Sequence, residues 1–296
     1  MNIKHYIVIV TLASLLFSCG EDAANDDIYI DSPEEPATEI IERADNIKNI
    51  FFNIPSPMET SQILQAAGAT YEFALPSNPS AVDDYQSIVE QSLNMGIYGA
   101  DLNYATVFNQ TTETMLYLQC ARTLGNELGM EQVFDEETIN RIEWNLELKD
   151  SMQVIITDIF WEMNSYLEEE DRESISTLII AGGWIEGVYL STQLARIAPN
   201  NQVLKLRIAE QKYSLTNLIG LLHSYEEDDI SQDVLEELQE LDVIFKKITE
   251  VKTAGENHKD ENGVTIIGGS IKLGMNDDIL EEITAKVVEI RTDIIN

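Results

Sequence analysis

Basic residues are scarce in this chain. It has 18 Lys and Arg against 53 Asp and Glu, a net charge of −35 over 296 residues. Phosphate recognition needs clustered Lys and Arg, so nucleic acid is excluded as a partner. Adsorption on an anionic membrane surface is disfavoured on the same ground, and the acidity serves solubility. Histidine is limited to His5, His223 and His258. They form no His-x-x-x-His pair and no Cys/His cluster, so no metal site is expected. Gly-x-Ser-x-Gly, the P-loop and Gly-x-Gly-x-x-Gly are all missing, so no cofactor is expected either. The acid runs Glu168–Asp171 and Glu226–Asp229 read as solvated turns. Only two cysteines occur, Cys19 and Cys120. Cys120 lies in the apolar helical stretch Leu116–Ala121 and reads as a buried, inert thiol.

What is present begins at the amino end. Lys4 and His5 precede a nearly pure apolar run, Tyr6 to Phe17. That run suits the core of a signal peptide and falls short of the ~20 residues that span a bilayer. It ends in Leu16-Phe17-Ser18-Cys19-Gly20, which reads as a lipobox. Cleavage before Cys19 leaves a lipidated N-terminus, and several acyl chains anchor firmly where one does not. With Cys19 acylated, Cys120 has no partner for an intrachain disulfide. Residues 19–37 carry many acids and no Lys or Arg, and Pro33 and Pro36 stiffen them. They read as a solvated tether. Acids directly after the lipidated cysteine also resemble the surface-export signal of Bacteroidota lipoproteins. The expected location is therefore the outer membrane, facing outward, with a periplasm-facing orientation as the alternative.

Residues 38–296 read as one helical domain. Thr38–Asn53 has apolar residues at a 3.6-residue period, and Ile54-Pro55-Ser56-Pro57 ends that helix. A short helix to Ala67 follows, then a loop over Gly68–Ser80. Helical pattern runs from Ala81 to about Gly129, with a break expected at Gly96 or Gly99. Further helices are expected from Phe134, over Asp150–Glu169, Arg172–Ala198, Gln202–Tyr225, Ser231–Lys252 and Asp277–Ile295. The predicted class is all-α: a multi-helix bundle of about nine to eleven helices built from antiparallel helix hairpins. One insertion departs from it. Residues 264–273 are rich in β-branched residues and glycine and read as a short β-hairpin around Gly268-Gly269, or as an ordered apolar loop packed on the bundle.

Two isolated acids stand out inside the domain. Asp101 is the only charged residue between Gln91 and Thr112, and Glu186 the only one between Ser174 and Ala195. Both helices read as buried on all sides. Each acid precedes a tyrosine by three residues, Tyr104 and Tyr189, and so shares a helix face with it. Two readings compete. In one, the acids accept hydrogen bonds in the core and fix helix register. In the other, they line a pocket walled by Tyr98, Tyr104, Trp184 and Tyr189, where a buried acid is a general-acid candidate. Paired carboxylates across a cleft are also what glycoside hydrolysis uses.

The stretches Ile54–Glu59, Gly96–Tyr104 and Ala181–Glu186 together resemble a family of all-helical lipoproteins of Bacteroidota that has no assigned activity. The resemblance covers roughly residues 38–225. It implies an envelope location and a helical fold, and it brings no catalytic residue. The functional expectation is a membrane-anchored, non-catalytic protein that binds a small molecule or a protein partner, or that serves a structural role. The alternative is a glycan-directed hydrolase using Asp101 and Glu186.

Overall fold

A computed structural model describes residues 53–225, 230–254, 258–259, 265–266 and 269–296. The chain divides into Met1–Ile41 and Glu42–Asn296. The leader, the lipobox, the acidic tether and residues 38–52 of the helix expected over 38–53 lie outside the described residues, as do the acid run 226–229 and the side chains of 253–270.

The described part is an all-α bundle. Helix α1 (Pro57–Ala66) is followed by a 3-10 turn (Pro79–Asp84), α2 (Ile88–Val107) and α3 (Thr111–Glu127). A second 3-10 turn (Glu131–Phe134) leads to α4 (Glu136–Asn145), α5 (Lys149–Glu169), α6 (Glu173–Ile197) and α7 (Gln202–His223). Then come α8 (Gln232–Phe245) and α9 (Asp277–Ile295), separated by β1 (Thr249–Ala254), β2 (His258–Lys259), β3 (Thr265–Ile266) and β4 (Gly269–Gly274). Local chemistry sets the helix starts. Ser56 with Glu59 and Ser87 with Glu90 form capping boxes, and Asp135, Asn201 and Asn276 cap three further helices.

Helices α2 and α6 form the most extensive helix pair, and both are buried along nearly their whole length. By length and composition α6 would cross a membrane, but 89% of its apolar window is buried inside the bundle. One apolar cluster packs α2 with α3 and α5; another packs α6 with α7, α8 and α9.

Two expectations are corrected. Gly96 and Gly99 do not break the helix, because α2 runs through both. The break comes instead at Phe108–Gln110, where Asn109 adopts φ 57°. Gly96 is there for contact: a Cβ would lie 2.0 Å from the Ile179 carbonyl oxygen, and one on Gly182 would lie 2.0 Å from that of Leu93. Gly99 has no such reason, since a Cβ there meets nothing within 4 Å.

The second correction concerns the helix before the insertion, which is shorter than expected; the short β insertion itself is present. β1 pairs antiparallel with β4, with Thr249 opposite Gly274 and Ala254 opposite Gly269, and β2 pairs with β3. Gly269 opens β4, and the helix expected to reach Lys252 ends at Phe245. The alternation Thr249-Glu250-Val251-Lys252-Thr253 favours a strand, because β-branched residues every second position suit a pleated surface.

Gly96→Ala and Gly182→Ala are expected to destabilise the fold by at least about 3 kcal/mol, because the collision is with backbone that cannot rotate away. Gly99→Ala is expected to be neutral or to stabilise by up to about 1 kcal/mol. Denaturant unfolding of the three variants checks this.

Candidate functional site

The two isolated acids meet. Helix α2 supplies Asp101 and α6 supplies Glu186, and the close approach at Gly96 and Gly182 brings their carboxyl groups within hydrogen-bonding reach. Neither residue has exposed surface. The charge between them is answered by Arg291 of α9, 105 residues beyond Glu186. Its guanidinium grips Glu186 in two places: Nε donates to Oε2, and Nη2 donates to Oε1 at 3.0 Å. Nη2 also donates to Ser77 Oγ at 2.7 Å and to the Leu75 carbonyl at 3.3 Å. The guanidinium carbon sits 4.0 Å from the centre of the Tyr189 ring, a cation–π contact.

Asp101 holds the other side. Its Oδ2 accepts the Ser77 N–H at 2.8 Å, and its Oδ1 accepts no hydrogen bond. Burial first, and then the neighbouring Glu186 carboxylate, push the Asp101 carboxyl well above its usual range, against Arg291 and the Ser77 N–H. Burial raises Glu186 too, while Arg291 and a hydrogen bond from Asp101 oppose the rise. Burial and the adjacent acid thus favour the protonated form of Asp101, while the charge on Glu186 is paired with Arg291.

Around this centre, phenols pin the loop that follows α1. Tyr98 donates to the Asn78 carbonyl at 2.8 Å, Tyr117 to Ser77 at 3.0 Å, and Tyr104 to Thr70 at 3.2 Å while accepting from the Glu72 N–H. Burial raises all three phenols, Tyr104 to about 12, so each remains a donor. Cys120, buried and free, points its thiol at the Pro79 carbonyl, and burial pushes that thiol up to about 11.

Of the six residues expected to form a pocket, Asp101, Glu186, Tyr98, Tyr104 and Tyr189 therefore gather as a strut between helices and loop. Trp184 does not join them. It lines a separate groove, with its indole N–H donating to Gln211 at 3.1 Å.

That groove lies between α1, α2, α5 and α6 and encloses about 390 Å³. Ile156, Phe160, Trp161, Ile180 and Trp184 give it apolar and aromatic walls, and Pro55–Pro57 close one side. Its one charged lining residue, Glu59, is exposed and engaged with the Ser56 N–H. Behind it, a space of about 40 Å³ reaches inward past Gly99 to Met95 and Phe134. Asn103, Pro57, Ile156 and Phe160 border both spaces. Asn103 is 6% exposed; its Nδ2 donates to the Gly99 carbonyl at 2.7 Å, and its Oδ1 has no partner. Among the described residues no group of three or more His, Cys, Asp or Glu is placed to hold a metal ion.

Arg291 and Asn103 escape a reading of the sequence alone. Arg291 had a signal: with Thr284, Val287 and Ile290 it falls on the buried face of an amphipathic helix. A buried cation asks for a buried anion; Lys286 on the same helix finds Glu237, Glu240 and Glu289, and Arg291 is left for one of the two isolated acids. The groove had no comparable signal, because four separate elements build it. Comparison with protein-family models, with curated proteins and with solved structures gave no match.

Arg291→Met and Glu186→Gln are expected to cost about 3–5 kcal/mol each, since each strands a buried charge or its partner. Asp101→Asn keeps both hydrogen bonds of the protonated acid and is expected to fold normally. The pH dependence has a definite sign. The folded-state pKa of Asp101 is raised, so its contribution to stability is greatest below the ordinary carboxylate value of about 4 and is lost as pH rises towards the folded value. Unfolding curves between pH 4 and 8 should fall less steeply for Asp101→Asn than for the native chain.

Proposed function

We propose that this chain is a lipid-anchored helical protein of a bacterial envelope, akin to the uncharacterised Bacteroidota lipoproteins, and that its domain binds a small apolar molecule without catalysing a reaction. The groove between α1, α2, α5 and α6 carries the reading. Its volume falls within the 300–1,000 Å³ of small-molecule sites, and its lining is apolar with few polar groups, as such sites are. The lipobox at Leu16–Cys19 and the acidic stretch behind it support the anchor and an outward-facing position on the outer membrane.

The hydrolase alternative draws no support from the geometry. Glycoside hydrolysis uses carboxyl groups about 5–10 Å apart with a sugar between them. Here the two lie within hydrogen-bonding reach, are sealed from solvent, and one is held by an arginine. The same burial assigns them to stability.

Two experiments test the proposal. A thermal-shift screen of small apolar compounds should find one that stabilises the native domain but not a Thr157→Phe variant, which fills the groove. A ligand at a hundred times its Kd adds about 2.7 kcal/mol of stability. Stabilisation that survives Thr157→Phe, or none from any compound, overturns the groove reading. For the anchor, mass spectrometry of the amino-terminal peptide should show acylated Cys19, and Cys19→Ala should abolish fatty-acid labelling. A mature chain that begins elsewhere removes the anchor.

A further inference from the structure

We propose that the groove selects an uncharged ring compound bearing a hydroxyl or N–H, and that this donor binds Asn103 Oδ1. The inference rests on the groove being a ligand site and adds what the ligand must be.

Three observations converge. First, Asn103 stands where the groove meets the inner space, and its amide is half used. The Nδ2 end is turned back to Gly99 of its own helix at 2.7 Å, which leaves Oδ1 over. That oxygen is buried and unpartnered, a state that costs about 1–3 kcal/mol. A ligand that donates a hydrogen bond removes this cost, and one that only accepts does not.

Second, Gly99 has no packing reason to be glycine. Gly96, one turn earlier, is demanded by backbone 2.0 Å from its missing Cβ, whereas position 99 faces open space. A mid-helix glycine costs about 1 kcal/mol relative to alanine. What its absent side chain leaves open is the space beside Asn103.

Third, the lining sorts ligands by charge. It holds no cation, its one charged residue is Glu59, and the whole chain carries −35. An anion entering the groove would lose its hydration with no compensating partner. Phe160, Trp161 and Trp184 offer ring faces and edges to a planar body, which pairs with them by offset or edge-on contact.

The test uses three naphthalene probes that share one ring system. 2-Naphthol donates, 2-methoxynaphthalene only accepts, and 2-naphthoate is an anion. Binding is followed by NMR of the three indole N–H signals in the intact domain. Trp161 and Trp184 line the groove, and Trp144, 79% exposed and not among the lining residues, is the internal control. The expected result is that 2-naphthol shifts the two groove signals and binds roughly tenfold more tightly than its methyl ether, the scale of one hydrogen bond to a buried acceptor. 2-Naphthoate should bind at least roughly tenfold more weakly than 2-naphthol. Asn103→Leu should bring the ratio of 2-naphthol to its ether close to one. Gly99→Leu, whose side chain enters open space, should weaken 2-naphthol at least roughly tenfold and keep the fold. Equal affinities of 2-naphthol and its ether for the native chain overturn this inference and leave the groove reading standing. So does a preference that persists in Asn103→Leu. If no probe moves either groove signal, the groove reading itself fails. Should Asn103→Leu not fold, the native comparison and Gly99→Leu decide the matter.

Discussion

At Gly96 and Gly182 two helix backbones come so close that one methyl group would strike the facing carbonyl. Much of the interior follows from that contact. It lets α2 and α6 run against each other along most of their length, and it sets Asp101 against Glu186 one to two turns further on. Two carboxyl groups that close, away from water, cannot both be ionised. One keeps a proton and the other needs a cation, and the cation comes from α9. The same arginine reaches the loop after α1 through Leu75 and Ser77, so one side chain ties α9, α6 and that loop together.

The groove is the counterpart of this tightness. Where glycine is required, the helices touch. Three residues along α2, at Gly99, glycine faces space instead, beside the inner end of the groove. Two glycines one helical turn apart thus do opposite work, one closing the core and the other opening it. The buried polar groups divide in the same way. Glu186 is fully engaged and serves architecture, whereas Asn103 keeps an oxygen idle at the edge of an apolar space. A satisfied buried polar group reads as structure, and an unsatisfied one beside a cavity reads as recognition.

Most of the helical architecture was legible in the sequence, because apolar periodicity and capping residues act locally. The limits of α5, α6, α7 and α9 fall within two residues of where periodicity and caps put them. The errors share a cause. Glycine at 96 and 99 looks like punctuation, and only the neighbour across the gap shows that the helix continues. Lys252 looks like the end of a helix, and only strand pairing shows that it belongs to an arm. The two acids announced themselves by their isolation, but their meaning depended on Arg291, far along the chain. Whether a buried acid is a strut or a catalyst is decided by its partners, and partners are not local.

The position of Arg291 also bears on time. Translation runs at about 5–20 residues per second. The 105 residues between Glu186 and Arg291 therefore take roughly 5–20 seconds to make. Throughout that interval α2 and α6 can pair only by burying a carboxylate that has no counter-ion. Closure of the central helix pair over a charged Glu186 is thus coupled to the docking of α9, which brings the counter-ion.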